Sequence, residues 1–141
     1  MLVSRTKSPR RLGAAAVEFA LVAPLLFTLI FAAIDCGRAM MGLDLVANAA
    51  RDGCRTGALS NGTNTSVISA ANAQMNAAGL TGATPTVTIT VNGNSVDCST
   101  ANQGDQIMVT VSVPANSVSW LPTSWYFGGT TLTRSVVMRR E

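Results

Sequence analysis

Hydropathy along the chain changes character twice. A basic leader, M-L-V-S-R-T-K-S-P-R-R-L-G, gives way at Ala14 to 21 positions ending at Ile34 that are interrupted by one charge, Glu18. At about 1.5 Å per helical residue this run reaches roughly 31 Å, near the hydrocarbon thickness of a bilayer, and predicts a transmembrane helix over 14–34. Cys36, Met40, Leu43, Ala47, Ala50 and Cys54 then recur at spacings of four and three. The helix is therefore expected to continue, amphipathic, to about Gly57, a natural stop. Two shorter helices broken near Gly37 and Gly42 are the alternative.

After a polar loop from Ser60 to Ser66, the positions Val67, Ile68, Ala71, Met75 and Ala78 keep helical spacing until Gly79, with Ser66 as the expected N-cap. The period then changes to two. Val87, Ile89 and Val91 alternate with threonines, and Ile107, Val109, Val111 and Val113 alternate with Met108, Thr110 and Ser112. Each pattern is that of a half-buried strand. Asn92-Gly93 and Gly104-Asp105 mark a long connection between them. A third strand over Thr130 to Arg139 is rich in β-branched residues, although Arg134 interrupts it. The predicted fold is α+β: a long N-terminal transmembrane helix extending into a small exported domain with a second helix and an antiparallel sheet of about three strands. The expected division is a leader over 1–13, a helix over 14–57 and an exported domain over 58–141.

Charge orients this arrangement. Arg5, Lys7, Arg10 and Arg11 precede the span, whereas Asp35, Arg38 and Asp44 mix signs after it. The positive-inside rule therefore places the N-terminus in the cytoplasm and nearly everything after Asp35 outside. The net charge of +3 is no nucleic-acid signal, because four of the ten basic residues lie in the leader and two close the sequence. A cleaved secretory signal is the competing reading of residues 1–35. Glu18 inside its apolar region, the length of that region and the lack of a small-x-small site before Asp35 count against it. A lipoprotein reading of Cys36 fails on Asp35, which stands where a small residue is needed.

A carboxylate at the centre of a span costs roughly 2.5–3.5 kcal/mol on insertion scales, so Glu18 points to a role and a partner. The stretch R-R-L-G-A-A-A-V-E-F-A-L-V-A-P, followed by the apolar helix and V-A-N-A-A-R-D-G-C-R-T-G, resembles TadE, and its relative TadF, among the pseudopilins of the tight-adherence (Flp-type) pilus system. The resemblance is specific over about residues 10–59 and loose beyond. It implies cleavage by a prepilin peptidase between Gly13 and Ala14, with Glu18 the acid five residues into the mature chain. It also implies that the new amine of Ala14 is a counter-charge for Glu18 of a neighbouring subunit. Other pilin-like subunits and the pilus secretion platform are the implied partners, with no nucleic acid. Phe19 after Glu18, and an exported part far larger than that of a major Flp pilin, fit a minor pseudopilin. A membrane-anchored binding or adhesion module is the runner-up and would need neither Gly13 nor Glu18.

Residues with catalytic or ligating potential are few. The sequence has no histidine, which removes the Ser-His dyad and ordinary zinc sites. No catalytic, cofactor or metal site is expected. Asp97 and Asp105 read as turn-forming acids, and the N-x-Ser/Thr matches at Asn61 and Asn64 carry little weight. Trp120, Trp125 and Tyr126 around L-P-T-S read as a packed loop. Cys36 and Cys54 lie about 27 Å apart along one helix, far beyond the ~7 Å Cα limit for a disulfide. In an oxidising periplasm Cys54 and Cys98 are the likelier couple, leaving Cys36 as a packed thiol near the membrane surface.

Overall fold

The computed structural model describes residues 9–79, 85–118 and 129–141. The aromatic cluster Trp120, Trp125 and Tyr126 and most of the leader lie outside the described residues. The elements run α1 (Pro9–Ala58), α2 (Asn64–Ala77), β1 (Thr86–Val91), β2 (Gln106–Pro114) and β3 (Thr131–Arg139). The fold is α+β, and α1 passes through both Gly37 and Gly42 as one helix. Packing divides the chain into two units, Met1–Ile34 and Asp35–Glu141.

Among the described residues of the first unit, α1 has no buried side chain. Phe19, Leu21 and Leu25 are 69%, 75% and 75% exposed, so this apolar surface has no cover within the unit. The helix is long and apolar enough to cross a membrane. Pro24 lies inside it, and the Thr28 hydroxyl donates to the Pro24 carbonyl at 2.7 Å. That bond gives the one hydroxyl of this stretch a partner within the helix, as a segment able to cross a membrane would need.

In the second unit, three strands form an antiparallel sheet in the order β1-β2-β3. Ile89 lies opposite Val109, and Val109 opposite Val136. Alternation sends Ile107, Val109, Val111 and Val113 into the core and turns Thr110 and Ser112 outward, where they bond Ser135 and Thr133 across the β2–β3 pair. The buried positions of α1 here are Asp35, Gly42, Val46, Ala49, Ala50, Gly53, Cys54, Gly57 and Ala58. This differs from the stripe expected from spacing. Cys36 and Met40 are exposed, and Leu43 and Ala47 are half-buried. The seam follows small residues rather than large apolar ones, because α1 lies close against its neighbours. A Cβ on Gly42 would stand 2.9 Å from Val118 Cγ1 and 3.0 Å from Leu132 Cδ1. One on Gly57 would stand 3.0 Å from Val67 Cγ2.

The second helix is N-capped by Thr63, not Ser66. The Thr63 side chain accepts from the Ser66 N–H, and Ser66 Oγ accepts from the Thr63 N–H at 3.0 Å. Ser66 thus sits at the third helical position of a reciprocal capping box, a variant of the usual Glu or Gln arrangement that spacing alone does not distinguish from a simple Ser cap. Asn92 and Gly93 both have positive φ, 50° and 83°. They make their own tight turn, bridging Val91 to Asn94, before the chain returns as β2.

Candidate functional site

Two groups of residues carry the chemistry expected from the sequence. The first lies on α1. Gly13, Ala14 and Glu18 are all helical and exposed, and a Cβ on Gly13 would meet nothing within 4 Å. Ala14 and Glu18 are four residues apart, one above the other on one helix face. Glu18 and Ala14 therefore share a side of α1, within a surface that the unit leaves uncovered.

Residues 13–55 match the family model of TadE-like proteins. The TadE-like segment thus begins at Gly13, includes Ala14 and Glu18, and ends one residue beyond Cys54. No curated protein and no solved structure matches the chain. The match ends at residue 55, and the fold of the part after it rests on the geometry described above.

The second group surrounds the end of α1. Cys54 and Cys98 are both fully buried in one core and both carry free thiols. Cys54 lies on the penultimate turn of α1, and its Sγ donates to the Ile107 carbonyl at 3.2 Å and lies 3.5 Å from that of Val136. Cys98 opens a short 3-10 turn, Cys98–Thr100, whose N-terminus is capped by Asp97. Its Sγ lies 3.4 Å from where a Cβ on Gly57 would stand. Burial pushes both thiols above their ordinary range, and proximity to Cys98 adds to the shift of Cys54.

Three side chains pin the Cys98 segment. Asn64 Oδ1 accepts from the Cys98 N–H at 3.0 Å, and Asp97 Oδ1 accepts from the Ser99 N–H at 2.8 Å. Arg140, only 8% exposed, donates to the carbonyls of Cys98 and Ser60. Asp97 and Asp105 act as turn-forming acids: Asp105 accepts from the Asn102 N–H and from Asn92 Nδ2, at 2.7 and 2.8 Å. Those bonds hold both carboxyls below the usual carboxylate range. Sequence reasoning missed Arg140, counting it only among the basic residues at the end. Asn64 was weighed only as a glycosylation match. The structure also corrects Cys36, which is exposed rather than packed. Among the described residues no group of three or more acidic, cysteine or histidine side chains is placed to hold a metal ion.

Proposed function

We propose that this chain is a minor pilin-like (pseudopilin) component for assembly of a tight-adherence Flp-type pilus. A prepilin-type peptidase cuts it between Gly13 and Ala14. The span holds it in the bacterial inner membrane with the N-terminus cytoplasmic and the 58–141 domain periplasmic. The observation that carries this reading is the TadE-like match, which starts at Gly13 and takes in a lone carboxylate on an apolar helix with no cover of its own.

The mechanism follows from the cost of that charge. An ionised Glu18 in hydrocarbon is far less costly when paired, and cleavage after Gly13 creates the one new cation nearby, the α-amine of Ala14. Because docking of a neighbouring subunit brings the amine of one copy to the carboxylate of another, the pair rewards assembly and selects register. The uncovered side chains of the span, Phe19 and Leu25 among them, supply the apolar contact. The peptidase, other pilin-like subunits and the secretion platform are the partners of this scheme.

Processing can be read without ambiguity, because Lys7 is the only lysine. Removal of residues 1–13 leaves the Ala14 α-amine as the single primary amine of the chain. An amine-reactive tag on protein from membranes, followed by peptide mapping, should label Ala14 alone, and Gly13→Leu should retain a tagged Lys7. A wild-type chain that keeps the tag on Lys7 would sink the processing scheme and favour the membrane-anchored binding or adhesion module. Glu18→Ala should still be cleaved and inserted yet fail to co-purify with other pilin-like components and fail to support piliation. Unchanged association would remove the charge-pairing role.

A further inference from the structure

We propose that Cys54 and Cys98 form a disulfide site that staples the end of α1 to the connection between β1 and β2, with Arg140 and Asn64 as the residues that position Cys98 for it. The two thiols come from positions 44 apart in sequence, yet both are fully buried in one core. Gly57 relates them geometrically. It lies three residues after Cys54 on α1, hence on a neighbouring part of the same face, and a Cβ added to it would stand 3.4 Å from Cys98 Sγ.

The backbone around Cys98 is held from both sides. Its N–H is taken by Asn64, from the first turn of α2, and its carbonyl by Arg140, which also holds the carbonyl of Ser60 just past α1. One guanidinium thereby fixes the Cys98 turn relative to the end of the helix that carries Cys54. A buried arginine is a costly way to satisfy two carbonyls unless their relative position matters. The third cysteine, Cys36, is exposed and 18 positions back along α1, too far to compete within the helix.

The reaction needs an external disulfide, supplied in an extracytoplasmic compartment by a thiol–disulfide oxidoreductase; to that extent the inference rests on the proposed topology. The Cys98 thiolate attacks one sulfur of that disulfide and releases the first thiol. The Cys54 thiolate then attacks the Cys98 sulfur of the mixed disulfide and releases the second. Two protein thiols are oxidised, one external disulfide is reduced to two thiols, and the two cysteine protons end on the released sulfurs. Because both sulfurs are buried in the finished core, the step belongs to folding, before the core closes over them.

The test uses the purified full chain in detergent, so it does not depend on where the protein resides. The Cys36→Ser chain is reduced, denatured and refolded in a mixture of oxidised and reduced glutathione, and non-reducing peptide mapping then gives the thiol–disulfide equilibrium constant. The expected result is a Cys54–Cys98 link in most molecules. Arg140→Met should lower the equilibrium constant at least tenfold, Arg140→Lys should lower it less, and Arg139→Met should leave it unchanged. If Arg140→Met does not refold, Asn64→Ala carries the comparison, with the same direction expected. Recovery of Cys54 and Cys98 unlinked, or capped singly by glutathione, would overturn the site; an unchanged constant in the positioning variants would overturn the roles of Arg140 and Asn64.

Discussion

The guanidinium of Arg140 donates to the carbonyl oxygen of Ser60 at 2.6 Å, so the residue after β3 closes over the chain where α1 ends. The backbone strengthens this closure. The Glu141 N–H donates to the Ala58 carbonyl at 3.0 Å, and Arg140 exchanges backbone bonds with the 104–105 turn. Late carbonyls of a helix have no partner within it, and here one is satisfied from about eighty positions away.

Replacing Arg140 with Met should therefore cost the second unit about 2–4 kcal/mol, since the buried Cys98 carbonyl and the part-buried Ser60 carbonyl both lose charge-assisted bonds. Arg139, exposed on β3, should tolerate the same change within about 0.5 kcal/mol. Denaturant unfolding of the full chain in detergent, followed by near-ultraviolet circular dichroism, measures the difference. Equal losses at the two positions would refute the clamp.

The helical glycines should separate just as clearly. A Cβ at Gly42 meets Val118 and Leu132 at about contact-breaking range, 2.9 and 3.0 Å, whereas one at Gly37 meets nothing within 4 Å. Gly42→Ala should destabilise by about 1–3 kcal/mol through overpacking. Gly37→Ala should stabilise by up to about 1 kcal/mol, the ordinary gain in helix propensity. Thermal unfolding of both variants would show shifts of opposite sign, and shifts of the same sign would contradict the close approach of α1.

Stability should fall at both ends of the pH range, for opposite reasons. Asp97 is held low chiefly by the Ser99 N–H and Asp105 by the Asn102 N–H. Their contribution is present above the unfolded carboxyl value of about 3.9 and is lost as pH falls through the lowered folded values. The thiols of Cys54 and Cys98 are raised by burial. In the reduced protein their contribution is present below the unfolded value of about 8.5 and is lost as pH rises towards the raised folded values. Denaturation curves of reduced protein across pH should show the alkaline fall, and Cys54→Ala with Cys98→Ala should flatten it. An alkaline limb that persists in the double variant would assign it elsewhere.

Orientation is testable by fusion. A reporter active only in the periplasm should work when joined after Ser60, and one active only in the cytoplasm should be silent there. The reverse pattern would invert the proposed topology.

Hydropathy by itself determined the apolar span, because a run of 21 positions with one charge has few physical fates. Alternation determined the strands for a similar reason: period two exposes every second side chain, so Val87, Ile89 and Val91 and the β2 valines declare their inner face locally. The Gly13–Glu18 motif was likewise local, and its match to TadE-like proteins extends through the same residues. Which face of α1 is buried was not local. Large apolar residues at Cys36 and Met40 spacing suggested one stripe, but α1 meets its neighbours through Gly42, Gly53 and Gly57, where the absence of a side chain permits the approach. The capping role of Thr63 was hidden for a related reason, since two hydroxyl residues three apart satisfy the same pattern until backbone angles choose between them. Arg140 was invisible as anything but a basic residue near the end. Only the return of β3 alongside β2 brings it to the end of α1, and only burial turns an ordinary surface charge into the clamp that joins Ser60 to Cys98.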